Sequence, residues 1–335
     1  MAVDPTYPFY PIACLLSAVM LLLVLLTSLV RQSWNLGVAF LCFWLFLENI
    51  AGAVNAIVWA DNADIKLYVY CDIVSHLGLL TSIVKPMATL IITRRLYLIT
   101  SLQSVELPSR AAVQQRALIL TQDYIVQQLR FEVDEGFGCG NSTDGSVLDI
   151  LLTRSWTVIP PLISVAFYYP RVIRIFYRQS RDINHFLQSN NSVSRTNYIR
   201  IFVLASIDVV LTLPLGIVAT VLSVTDALSD GFGLPFYLGW TYDHTDWEPT
   251  SFSYQSVVAE GASSLGGQYF SQWSSPVLAF AIFGLFGVTS EARASYLRTV
   301  YTICGWFGWK PTLCIRRARS PLKEIGCATS FVRRT

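Results

Sequence analysis

The sequence predicts an all-α polytopic membrane protein, a bundle of seven transmembrane helices with an extracellular N-terminus and a cytoplasmic C-terminus. Three observations predict it: the composition, the spacing of the apolar runs and the placement of arginine. Of 335 residues, 53% are hydrophobic and 14% charged, with mean hydropathy +0.48. A soluble chain carries roughly 25% charged residues. Too few charges remain here to cover two water-facing domains, so the bilayer is the expected solvent. The same numbers exclude disorder. A net charge of +2 gives no reason to invoke nucleic acid. Seven cysteines, scattered and without a CxxC pair, argue against a zinc ribbon or a dense disulfide framework.

A span needs about 20 mostly apolar residues. The first runs from Phe9 to Val30 with no charge; the preceding Met1 to Pro8 lacks Lys and Arg, so it reads as a retained span rather than a signal peptide. The second, Leu36 to Trp59, is broken only by Glu48. The third, Tyr68 to Ile99, holds Lys85 and Pro86, with Arg94 and Arg95 near its end. Leu151 to Tyr177 follows, with Pro160 and Pro161. Then come Ile199 to Val224, with Asp208 and Pro214 inside, and Tyr269 to Val288. A weaker segment, Ala117 to Val133, is short and polar. By itself it reads as an interfacial helix, and the charge pattern decides whether it crosses.

Cytoplasmic loops are enriched in Lys and Arg. With seven crossings and the N-terminus outside, Arg31, Arg94, Arg95, Arg110, Arg116, Arg171, Arg174, Arg178, Arg181, Arg195, Arg200 and the basic tail from Arg293 to Arg334 all fall inside. Only Lys66, Arg130 and Arg154 fall outside. Acidic residues go the other way, from Asp61 to Glu248 in the outer loops. Six crossings would invert everything after Arg116 and spoil the bias, so 117–133 is expected to be a feeble fourth span. Residues 1–310 then form the membrane domain and 311–335 a short basic tail.

The sequon Asn141-Ser142-Thr143 falls outside in this topology and is a candidate glycosylation site. Cys71 and Cys139 fall on the same outer side. A disulfide between them would form in an oxidising exterior; two free cysteines are the alternative. Charges inside a membrane cost several kcal/mol and mark function or a buried pair. Glu48, Lys85 and Asp208 lie at similar depth, which suggests one electrostatic cluster between the second, third and sixth spans. It reads either as a switch between helix packings, with Pro214 as a hinge, or as a static pair fixing register. No catalytic, metal-binding or cofactor-binding constellation appears. The three histidines, His76, His185 and His244, are far apart, and no Lys in the last span would anchor a retinal.

Several motifs stand in a recognisable order. Tyr70-Cys71-Asp72-Ile73 opens the third span and Arg94-Arg95-Leu96-Tyr97 closes it. Asp123-Tyr124-Ile125-Val126-Gln127 runs through Arg130-Phe131 to Gly138-Cys139. Phe176-Tyr177-Arg178-Gln179-Ser180-Arg181 leads to Ser194-Arg195-Thr196-Asn197-Tyr198. Ile207-Asp208, Leu213-Pro214, Ser275-Pro276-Val277, Phe286-Gly287 and Glu291-Ala292-Arg293 complete the series. Over roughly Pro8 to Pro311 the chain resembles fungal mating pheromone receptors of the a-factor-receptor type, class D G protein-coupled receptors, the basidiomycete members above all.

The resemblance implies a non-enzymatic receptor at the plasma membrane. Its implied partners are a farnesylated peptide pheromone and a heterotrimeric G protein. Under it, Asp72, His76, Trp240, Tyr242 and Trp247 are candidate ligand-binding residues, and Arg94, Arg95, Arg178, Arg181 and Arg195 are candidates to face the G protein. Two departures stand out: a fourth span that looks shortened between Arg116 and Asp123, and a tail ending at Thr335. The shortened span raises a nonsignalling receptor as one alternative. A secondary transporter using Glu48, Lys85 and Asp208 is the other.

Overall fold

The computed structural model describes residues 4–31, 36–100, 124–178, 195–229, 234–259, 261–289, 292–294 and 296. The chain divides into a unit of Met1–Ser295 and a second of Tyr296–Thr335, of which only Tyr296 is among the described residues. The expected tail therefore lies outside them.

Six helices among the described residues are long and apolar enough to cross a membrane. In hydrocarbon each backbone N–H and C=O must be paired within the segment, which leaves a continuous apolar run little choice but helix. The first three are α1 (Phe9–Arg31), α2 (Leu36–Val58) and α3 (Tyr68–Thr100). A fourth run, α4 (147–178), consists of Val147–Asp149, Ser155–Ile163 and Tyr169–Arg178, joined by π-turns at Ile150–Arg154 and Ser164–Tyr168. Those wide turns flank Pro160 and Pro161, whose missing N–H groups break the regular ladder. Then follow α5 (Arg195–Ser229), a short α6 (Trp240–Thr245), a short α7 (Tyr254–Ala259) and α8 (Ala262–Ile282), which continues as a π-turn to Gly287.

Large apolar side chains cover the outside of the bundle. Leu15, Val19 and Leu22 of α1 and Val210, Val218 and Val221 of α5 are all exposed, as lipid-facing positions should be. Inside, Leu21, Leu41, Leu45, Ile92, Leu96, Leu204, Leu278 and Ile282 are fully buried in one cluster. Gly216 permits close approach of α5 to α4, since a Cβ there would lie 2.9 Å from Thr157 Oγ1.

The described part of the expected fourth span corrects the sequence reading. Residues 124–126 form one helical turn, and β1 (Gln127–Asp134) is a strand paired antiparallel with β2 (Gly138–Thr143). The alternation explains it. Phe131 and Val133 are buried, while Arg130, Glu132 and Asp134 between them are not; that period of two belongs to a strand. A third strand, β3 (Thr250–Phe252), pairs parallel with β1, giving the order β2-β1-β3. Residues 101–123, including the shortened stretch, lie outside the described residues.

The sheet caps one end of the bundle. Its turn reaches the end of α2, where the Gly136 N–H donates to the Trp59 carbonyl at 2.7 Å. Cys139 is bonded to Cys71 at the start of α3. Thr143 donates to Asp149 at the start of α4, and Gln268 near the start of α8 reaches Asp134. Tyr269 donates to Asp4, just before α1, at 2.9 Å. Tyr124 is also at this end, packed on Trp240 and Trp247. Thr100 closes α3 at the opposite end. Of the described residues, Asp4 and Gly287 therefore lie at opposite ends of the bundle.

Candidate functional site

Helix α3 carries three polar side chains spaced four apart, Lys85, Thr89 and Thr93, which share one face. Each meets a different helix. The Lys85 ammonium donates to Glu48 Oε1 of α2 at 2.9 Å, with side chains only 11% and 23% exposed. Thr89 donates to Asp208 Oδ2 of α5, and both residues are fully buried. Thr93 donates to Ser164 Oγ at 3.2 Å, within a π-turn of α4. A second link joins α2 to α8, where Asn49 Nδ2 donates to Ser275 Oγ at 2.9 Å. Lys85 and Glu48 also lie within electrostatic reach of Asp208.

The structure thus brings Glu48, Lys85 and Asp208 together, but not as one ion triad. Lys85 pairs with Glu48, and Asp208 is held by a hydroxyl. Glu48 Oε2 and Asp208 Oδ1 are buried with no hydrogen-bond partner. In low dielectric an oxygen left without a partner is costly. Pro214 lies within α5, six residues past Asp208. Thr89, Thr93, Asn49 and Ser275 escape a reading that looks only for charge. Thr89 was findable from its spacing, one turn beyond Lys85.

At the capped end, Asp72 is not open to solvent as a lone acid. Arg130 of β1 grips it with Nε at 2.8 Å and Nη2 at 2.6 Å, and the guanidinium lies over the Tyr68 and Phe131 rings. The Asp72 carboxylate pushes Arg130 further up from its ordinary value. His76 lies one turn further into α3, half-buried and with a partner of its own. Trp240 and Trp247 hold the His244 ring between them, stacked at 4.0 and 5.0 Å, and Tyr124 meets all three edge-on. Tyr242 points elsewhere, into a groove of about 350 Å³ lined by Gln128, Leu129, Thr241, Thr245 and Asp246. Two carboxyls nearby, Asp144 and Asp243, are raised from the ordinary range chiefly by burial, Asp243 also by the charge of Asp144. Asn141 lies in β2, half-buried.

Asn55 ties α2 to this cap, donating to the Cys139 carbonyl and accepting from Tyr70 at 2.9 Å. Its side chain fills the space where a Cβ on Gly138 would fall, 2.5 Å from Asn55 Cβ, and Gly138 has φ +86°. Glycine is required there twice, by space and by backbone.

The opposite end is basic. Arg94 and Arg95 lie near the end of α3, Arg171 and Arg174 on α4 and Arg200 on α5; Arg171 packs over the Tyr97 ring. Arg178 and Arg195 end α4 and begin α5, and Arg181 is outside the described residues. Among the described residues no group of three His, Cys, Asp or Glu is placed to hold a metal.

Residues 9–305 match the family described as Pheromone A receptor. The chain is 30% identical over 295 residues to the Pheromone B alpha 2 receptor of Schizophyllum commune, covering 88% of this chain and 46% of that protein. It is 27% identical to Pheromone receptor 1 of Ustilago hordei, covering 80% and 77%. It is 21% identical to the Pheromone a factor receptor of Saccharomyces cerevisiae, covering 80% and 57%. The chain spans less than half the length of the Schizophyllum commune relatives it matches.

Proposed function

The chain belongs to the Pheromone A receptor family, and from that premise we propose that it is a plasma-membrane receptor that senses a farnesylated peptide pheromone and activates a heterotrimeric G protein. The capped end, with Asn141 as its glycosylation site, faces outward in this reading. The basic end, with Arg94, Arg95, Arg178, Arg181 and Arg195, faces the cytoplasm and an acidic partner surface. The surface around Trp240, Tyr242 and Trp247 receives the peptide, with Asp72 and His76 on the wall of the bundle below.

The observation that carries this reading is the polar ladder on α3. Lys85, Thr89 and Thr93 tie α3 to α2, α5 and α4 in turn. A ligand that shifts α3 at the cap, where Cys71 and Asp72 fasten it, shifts all three contacts together. The orphan oxygens of Glu48 and Asp208 make the resting arrangement less than optimal. These are the elements of a two-state switch.

Nucleotide exchange on a G protein, measured in membranes holding the full chain and a panel of synthetic farnesylated peptides, tests the proposal. Peptide-dependent exchange is expected, and its loss in Thr89→Val with surface expression intact. Silence of the folded receptor across the panel would overturn it. Substrate flux into proteoliposomes that vanishes in Asp208→Asn would favour a transporter instead.

A further inference from the structure

A single exposed apolar side chain needs no explanation, but a row of them does. Phe236, Leu238 and Trp240 stand at alternate positions before and into α6, and they are 66%, 38% and 52% exposed. No residue from Leu234 to Tyr242 carries a charge. Neighbouring connections at the capped end do: the loop after α2 has Asp61, Asp64 and Lys66, and the stretch after α6 has Asp246 and Glu248. The chain between α5 and α6 is thus composed for a different solvent from the loops around it.

Its backbone fixes where it lies. The first N–H groups of a helix have no partner within that helix. In α4 those of Val147 and Leu148 donate to the Pro235 and Phe236 carbonyls, each at 3.0 Å. Pro235 itself has no N–H to satisfy. Tyr237, between Phe236 and Leu238, is tied to the cap, its hydroxyl donating to the Ile125 carbonyl at 3.2 Å. The row is therefore fastened to the first turn of α4, where that membrane-length run begins. Leu151, three residues past Leu148, is 54% exposed, and Ile159 and Leu162 further along α4 are exposed as well. Three residues of helix rise about 5 Å. The headgroup layer on each side of a bilayer is about 5–8 Å thick. Phe236 is thus held within one headgroup layer of the first lipid-facing residue of α4.

We propose that Phe236, Leu238 and Trp240 lie in the headgroup layer on the capped side, an anchor whose partner is the lipid surface itself. Tryptophan favours that layer, because its ring is apolar and its N–H is not. Trp240 stacks one face on His244 and is still half exposed. Gly239, with φ +108°, turns the chain from the row into α6. Tyr242 of α6 lines the groove of about 350 Å³, so the anchor sets that groove at the level of the lipid. A ligand with one end in the leaflet then meets the groove without leaving the membrane surface.

The test uses the full chain in phosphatidylcholine nanodiscs, with the Cys71–Cys139 bond kept and other reactive thiols removed. A nitroxide is attached in turn to Leu238→Cys, to Leu151→Cys as the lipid-facing control and to Glu248→Cys as the water-facing one. Collisions with oxygen, which concentrates in lipid, are compared with collisions with a soluble nickel chelate. The oxygen-over-chelate ratio at 238 is expected to approach that at 151 and to exceed that at 248 several-fold. A ratio at 238 equal to that at 248 overturns the proposal. So does a ratio that rises only when a farnesylated peptide is added, which would make the ligand the occupant. A second measurement leaves the row nearly intact. Tryptophan fluorescence of the wild type and of Trp240→Phe is read in plain lipid, in lipid brominated high on the acyl chain and in lipid brominated near the chain end. The emission lost with Trp240 is expected to be quenched most by the shallow bromines. Emission from Trp240 that neither lipid quenches overturns the proposal, and this arm decides alone if Leu238→Cys does not fold.

Discussion

Lys85 is the residue on which the polar layer turns. Its ammonium is held by Glu48 at 2.9 Å and stands near Asp208. Removing one member of a buried pair strands the other, which costs about 3–5 kcal/mol, whereas replacing both by neutral groups is often harmless. Lys85→Met alone is therefore expected to cut the folded fraction at the surface severely. Lys85→Met with Glu48→Gln should recover most of it. Ligand-free thermal stability of the four forms checks this, and additive effects would show that the pair does not couple. Charge made Glu48, Lys85 and Asp208 legible in the sequence, because an ionised group in an apolar run is conspicuous. Ser164 is not legible, because a hydroxyl in a helix can bond its own backbone, as Ser164 does to the Pro160 carbonyl, and leaves no mark until the neighbour is known.

The cap is the element that the sequence reading missed. The six strong spans stand out through length and hydropathy alone, and six helices among the described residues are long and apolar enough to cross a membrane. The segment 127–134 was lost because its apolar content suggested lipid, while its alternation called for a sheet. Two predictions belong to this element. The Cys71–Cys139 bond closes a loop with a sequence separation of 68 residues. Replacing both cysteines by serine should lower stability by roughly 2–4 kcal/mol, read as a lower thermal midpoint in a non-reducing buffer and no further effect of reductant. The second concerns Asp144 and Asp243, whose carboxyls burial holds above the ordinary range. An acid with a raised folded value contributes stability that is complete below its unfolded value, 3.8, and is lost as pH climbs through the folded one. Amide protection of 234–252 should fall as pH rises from about 4, and Asp243→Asn should flatten the fall. Protection that instead grows with pH would contradict the assignment.

Across the whole molecule the decisive property is parity. Asp4 and Gly287 lie at opposite ends, because α1, α3, α4 and α8 start at the cap while α2 and α5 finish there. The positive-inside pattern leads to the expectation that the Asp4 end is external and the Gly287 end cytoplasmic. Single-cysteine labels at Thr6 and at Val288, in a background without other reactive thiols, should react with an impermeant reagent from opposite sides of sealed vesicles. Reaction from one side only would contradict the placement of Asp4 and Gly287 at opposite ends.

The parallel pairing of β1 with β3 has a consequence for anyone building chimaeras. Glu132, Val133 and Asp134 are in register with Thr250, Ser251 and Phe252, two stretches more than a hundred residues apart in the chain. A graft that imports 127–143 from a relative without 234–252 mates a foreign strand to a native edge. Recognition should therefore transfer between paralogues only when both stretches travel together.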